Sequence, residues 1–153
     1  MHIINTIMQA PLIDRLMRGR FLKFGTIGFF GTMVNISIFY SNQALIFKNI
    51  IPPETRLNVS LAGAIFVSTI HNFFWNRIWT WRDRRKNIKK MFFLQMGQYF
   101  IASLFSIALQ FIFTNAFALL LHYLIANIIA IILAAIINYL VNDTWTFSIR
   151  KPQ

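Results

Sequence analysis

Asn72-Phe73-Phe74-Trp75-Asn76-Arg77-Ile78-Trp79-Thr80-Trp81 decides how this chain is built, because its pattern returns as Asn138-Tyr139-Leu140-Val141-Asn142-Asp143-Thr144-Trp145-Thr146-Phe147. Both stretches read Asn-aromatic-x-x-Asn-charged-x-Trp-Thr-aromatic, 66 residues apart, and the residues before each are almost wholly apolar. An apolar run that ends in a fixed polar cluster predicts a membrane helix, met twice, with polar groups at one depth. Such groups are costly in a bilayer and are functional candidates by default.

Composition agrees with a membrane protein. The chain has 153 residues, of which 57% are hydrophobic and only 12% charged, against about 25% charged in soluble domains. One small domain is expected. There are no cysteines, so disulfides and thiolate metal sites are excluded. The net charge of +11 is spread over the flanks of apolar segments. That placement argues for anionic membrane lipids as partners and against nucleic acid.

Four stretches can cross a hydrocarbon layer of about 30 Å, which takes about 20 helical residues. They are Phe24–Phe47, Leu57–Trp75, Met91–Leu121 and Tyr123–Asn142. Helices are expected because backbone groups in lipid must pair within their own segment. Thirteen of the fifteen Lys and Arg residues fall on one side of such a bundle, leaving Lys48 and Arg56 on the other. This asymmetry predicts that both termini are cytoplasmic. Residues 1–20, where Ile3, Ile4, Ile7, Met8 and Leu12 recur at roughly helical spacing around Pro11, read as an interfacial amphipathic segment.

The fold expected is therefore an all-α membrane protein with a transmembrane domain over residues 21–148. Two tandem helical hairpins make it up, one over about residues 21–82 and the other over about 91–148. Gly25 matches Gly97 and Phe21-Leu22 matches Phe93-Leu94 at an offset of 72, which pairs the first and third spans. Two hairpins entering from one side make a parallel repeat about an axis along the membrane normal.

The candidate site residues come from helical phase. Asn72, Asn76 and Trp79 share one face, and Asn138, Asn142 and Trp145 share another. Asparagine amides at these places suit either a neighbouring helix or sugar hydroxyls. Asn35 lies near the middle of the first span and is a candidate for lining a polar groove. Arg77, set among Trp75, Trp79 and Trp81, can grip a phosphate bidentately or snorkel to water. Asp143 stands at the matching position with the opposite sign, which permits an Arg77–Asp143 pair. Trp79 and Trp145 read as an interfacial belt or as sugar platforms. Arg20 and Lys23, at the mouth of the first helix, are placed to attract an anionic headgroup. Arg82 to Lys90 reads as a solvated positive loop.

No glycine-rich phosphate loop is present, and His2, His71 and His122 lack metal-ligand spacing. None of the acids Asp14, Glu54, Asp83 and Asp143 falls at mid-span, where a proton-coupled exporter would need one.

Arg20-Phe21-Leu22-Lys23-Phe24 leading to Gly28 and Asn35, followed by Asn72-Phe73…Asn76-Arg77…Trp79-Thr80-Trp81, resembles the GtrA-like family over about residues 20–148. These are small four-helix bacterial membrane proteins associated with cell-surface polysaccharide synthesis. The resemblance implies flipping of a polyprenyl-phosphate-linked monosaccharide across the bacterial inner membrane, beside a partner membrane glycosyltransferase that loads the carrier. The family often carries a basic residue where this chain has Asp143, which leaves Arg77 as the phosphate contact. The expectation is a non-enzymatic, cofactor-free translocator, with a non-transporting scaffold or activator of a glycosyltransferase as the alternative. Four helices enclose little, so a homo-oligomer or a groove open to lipid is expected.

Overall fold

A computed structural model describes residues 19–49, 52–88 and 90–149. Nearly all of the amphipathic segment expected over residues 1–20 lies outside them. Four long helices follow in order: α1 (Arg20–Ser41), α2 (Pro53–Trp75), α3 (Phe92–Ala118) and α4 (Tyr123–Val141). With their extensions they run 27, 28, 27 and 24 residues, and each is long and apolar enough to cross a membrane.

Three of the helices do not stop where the α-turns end. Each continues for five residues as a π-helical turn that opens on asparagine: Asn42–Ile46 after α1, Asn76–Thr80 after α2 and Asn142–Thr146 after α4. The wide turns are closed by N–H groups five residues on. Phe47 N–H donates to the Asn42 carbonyl at 2.8 Å, Trp81 to Asn76 at 2.9 Å and Phe147 to Asn142 at 2.8 Å. The second and fourth spans thus extend past their expected ends at Trp75 and Asn142, because the polar signature stays helical instead of leaving the bundle. Single-turn π segments of this kind often mark functional sites.

The remaining boundaries follow from local chemistry. Pro53 occupies the start of α2, where its missing N–H is no loss. His122 Nδ1 accepts the Leu124 N–H at 3.4 Å and caps α4. Hydroxyls of Thr26, Thr32, Ser37 and Ser41 bond back to carbonyls four residues earlier in α1, so each is satisfied inside its own helix.

α1 packs on α2 and α3 on α4 as two antiparallel hairpins. Small residues at every fourth position let the backbones approach: Ser60, Ala64 and Ser68 on α2, and Ala126, Ala130 and Ala134 on α4, all buried. The starts of α1 and α3 and the ends of α2 and α4 meet at one end, tied by Arg20 to Asp83 and by Lys90 to Ser148. This is the basic end. There an aromatic core of Phe24, Phe73, Trp81, Tyr99, Tyr139 and Phe147 joins the hairpins. Trp81 lies flat on Phe147, with centroids 4.3 Å apart and planes 11° apart. Beyond this core the outer surface is rich in exposed Leu, Ile and Phe, as a lipid-facing wall must be.

Candidate polar groove and basic recess

A polar groove of about 520 Å³ opens between the two hairpins, with walls from all four helices. Its floor at the basic end is Phe24 and Tyr99 from the aromatic layer, with Asn76 beside them. Along α3 it runs from Tyr99 past Ser103 and Ser106 to Gln110, a length of about 16 Å at the helical rise. Asn35, Ser68, Asn72 and Asn138 supply amides and a hydroxyl from the other helices. An aisle of amides and hydroxyls inside spans apolar enough for a bilayer is what an uncharged polyhydroxy ligand needs in place of water.

The polar groups are held in place. Asn35 Nδ2 donates to Ser68 Oγ at 3.3 Å, and Ser68 donates in turn to the Ile65 carbonyl at 3.1 Å. The Asn72 amide lies directly over Gly31, where any Cβ would overlap it, so glycine makes the room for Asn72 on α1. Asn72 Oδ1 sits 3.3 Å from His71 Nδ1. Asn76 Nδ2 donates to the Tyr99 hydroxyl at 2.9 Å, while its Oδ1 accepts from Thr80 at 2.8 Å. Asn142 Nδ2 donates to both the carbonyl and the side-chain oxygen of Asn138 at 2.9 Å.

The structure therefore brings Asn35, Asn72, Asn76 and Asn138 to one groove, and leaves Asn142 buried outside its lining. Asn76, only 1% exposed, reaches the groove as part of a hydrogen-bonded floor.

Arg77 and Asp143 do not meet. Arg77 Nε donates to Gln95 Oε1 at 3.1 Å, with the guanidinium 5.2 Å from the Phe92 ring. Asp143, 3% exposed, accepts instead from Trp81 Nε1 at 2.9 Å and pairs with Arg84 at 2.9 Å. Arg84 also donates to the carbonyls of Asp143 at 2.8 Å and Phe147 at 3.3 Å. The reason is geometric: the π turns rotate Trp81 and Phe147 into a central stack, and Asp143 follows Trp81. The sequence does not single out Arg84, whose whole segment reads as a solvated positive loop. The two acids near the basic clusters were the available signal, since a buried carboxylate demands a cation. Lys90, from the same segment, likewise reaches inward to Trp145 O, Gln98 and Ser148.

Arg20, Lys23 and Trp79 line a separate recess of about 690 Å³ at the basic end, together with Thr80, Arg82, Asp83 and Lys86. Lys23 Nζ stands 5.9 Å from the Trp79 ring, a cation–π distance. Trp79 and Trp145 are each about two-fifths exposed.

These features define a four-helix membrane protein with a polar aisle between hairpins and a cationic recess at one end. A family model described as the GtrA/DPMS transmembrane domain matches residues 23–147, and the chain belongs to that family. It is also 33% identical over 112 residues to a dolichol-phosphate mannosyltransferase of Pyrococcus furiosus. That match covers 72% of this chain and 27% of the relative, so the chain spans about a quarter of that protein's length.

Proposed function

We propose that the protein translocates a polyprenyl-phosphate-linked monosaccharide across the bacterial inner membrane, with the sugar passing along the polar groove. The observation that carries this reading is the groove itself: amides and hydroxyls from all four spans are among its lining residues. Membership of a family that includes lipid-linked sugar enzymes supports the substrate class. The physical task is to move hydroxyls through hydrocarbon, where each unpaired polar group costs several kcal/mol. Asn35, Asn72 and Asn138 replace water's hydrogen bonds while the prenyl chain stays in lipid. The chain performs no covalent step in this reading, and net flux follows consumption of the sugar on the far side. The basic end faces the cytoplasm, as the excess of Lys and Arg there favours.

The test is transfer of a polyprenyl-phosphate monosaccharide between leaflets of proteoliposomes that contain this protein alone. Wild type is expected to accelerate transfer above protein-free vesicles. Asn72→Leu and Asn138→Leu, each removing groove hydrogen bonds, are expected to slow it by about tenfold or more. Folded wild type that gives no acceleration overturns the reading.

A second reading is a non-transporting scaffold for a membrane glycosyltransferase. The observation in its favour is that the relative matches over only 27% of its length and bears a mannosyltransferase's name. On that reading vesicles with this protein alone stay inactive, and addition of the partner restores sugar transfer without flipping.

A further inference from the structure

The basic recess adjoins an apolar groove, and Trp79 lines both. The groove, about 890 Å³, follows the outer side of the α1–α2 seam. Ile27, Phe30 and Val34 line it from α1, and Trp75 and Ile78 from α2. Helical phase explains the adjacency. Lys23, Ile27, Phe30 and Val34 fall at i, i+4, i+7 and i+11, a single stripe of α1. The neighbouring stripe, Phe24, Gly28, Gly31 and Asn35, lines the polar groove on the opposite side of the seam. The cationic foot and the apolar trough thus belong to one face, and the sugar-binding amides to the other.

Charge at the foot is unbalanced. Among the described residues, Arg20, Lys23, Arg82 and Lys86 face a single carboxylate, Asp83, which Arg20 already grips. The start of α1 lies at the same recess, with no acidic residue in its first turn, so the positive end of its dipole adds to the field. An apolar trough ending in a cationic recess is complementary to an acidic head on a hydrocarbon chain.

We infer that this is the seat of the carrier's phosphate. Lys23, Arg82 and Lys86 hold it, Trp79 covers the junction, and the first isoprene units lie between α1 and α2. The choice of a polyprenyl chain rests on the proposed function. The inference also moves the phosphate away from Arg77, which is engaged with Gln95 and Phe92. The carrier then docks on the first hairpin alone, with its sugar at the basic end, while the transit groove lies behind α1.

The experiment is equilibrium binding of radiolabelled polyprenyl phosphate to the full chain in phosphatidylcholine nanodiscs, with phosphatidylglycerol and inorganic phosphate as competitors. The double variant Lys23→Glu/Arg82→Glu is expected to lower affinity at least about tenfold. Val34→Trp, which fills the trough without touching a charge, is expected to weaken binding comparably; both are read only on protein that elutes as the wild type does. Binding by wild type that both variants retain overturns this seat and leaves the proposed function standing with its phosphate elsewhere. Equal competition by phosphatidylglycerol reduces the site to a general anionic-lipid contact, and equal competition by inorganic phosphate removes the role of the chain; either overturns the inference. Absence of any polyprenyl phosphate binding by wild type overturns the proposed function along with it.

Discussion

The two hairpins close on the same kind of small-residue seam but fill it differently. Ser60, Ala64 and Ser68 on α2 correspond, 66 residues on, to Ala126, Ala130 and Ala134 on α4. In the second hairpin the seam is plain: alanines let α3 and α4 touch, and Ser106 Oγ donates to the Ala134 carbonyl at 2.8 Å. In the first, the hydroxyl of Ser68 instead engages Asn35, and Asn42 Nδ2 donates to the Ser60 carbonyl at 3.2 Å. The first hairpin also bounds the polar groove on one side and the apolar groove and basic recess on the other. The second contributes one wall of the polar groove and the carboxylate that fastens the pair together. One hairpin thus borders all three cavities, and its counterpart borders the polar groove alone.

The sharpest way to break this division is at the fastening. Asp143→Ala leaves Arg84 half-buried without its carboxylate and Trp81 Nε1 without an acceptor. Removing one partner of a buried pair costs about 3–5 kcal/mol, so the melting temperature in detergent is expected to fall steeply. Asp143→Leu combined with Arg84→Leu is expected to recover most of the loss, because neither charge is then stranded. A single variant as stable as wild type removes the fastening role.

The next effect separates two helical glycines, one in each hairpin. Gly31→Ala drives a methyl into the Asn72 amide, whereas nothing lies within 4 Å of a Cβ on Gly97. The first substitution is expected to cost about 1–3 kcal/mol and to impair translocation through displaced Asn72. The second is expected to be neutral or to stabilise by up to about 1 kcal/mol through helix propensity. Equal melting curves for the two variants contradict the close approach at Gly31.

The smallest effects come from making one seam resemble the other. Ser68→Ala copies Ala134 and removes the bond from Asn35, an interhelical contact worth about 0.6 kcal/mol. Ser60→Ala copies Ala126; the Ser60 hydroxyl is buried without a hydrogen-bond partner, so its removal is expected to stabilise slightly. Opposite signs in thermal unfolding separate a hydroxyl that serves the groove from one that does not.

How much of this the sequence discloses depends on the period of the signal. Four spans are legible because apolar length is read over some twenty residues, and the two Asn-aromatic signatures stand out by repetition. The π turns at Asn76 and Asn142 are not legible, since one extra residue per turn leaves hydropathy unchanged. Their effect is large, because every residue after the turn is rotated from its expected face. For that reason Trp81, which follows the first turn, meets Asp143 and Phe147. Asn35 and Asn72 lie before any wide turn in their helices and keep ordinary helical phase. The inward reach of Arg84 and Lys90 needs the helix ends in place, so composition alone makes their loop look solvated.

The aromatic stack and the Arg84–Asp143 pair lie together at the basic end, with the hydrogen bonds of Asn76 to Tyr99 and Arg77 to Gln95 between the hairpins beside them. A pair of arms riveted at one tip has a single soft motion: the other tips spread and close. For this protein the rivet is Trp81 on Phe147, and the arms are the two hairpins flanking the groove. Any rotation of one hairpin about that stack displaces the far ends, near Phe47 and His122, more than the basic end.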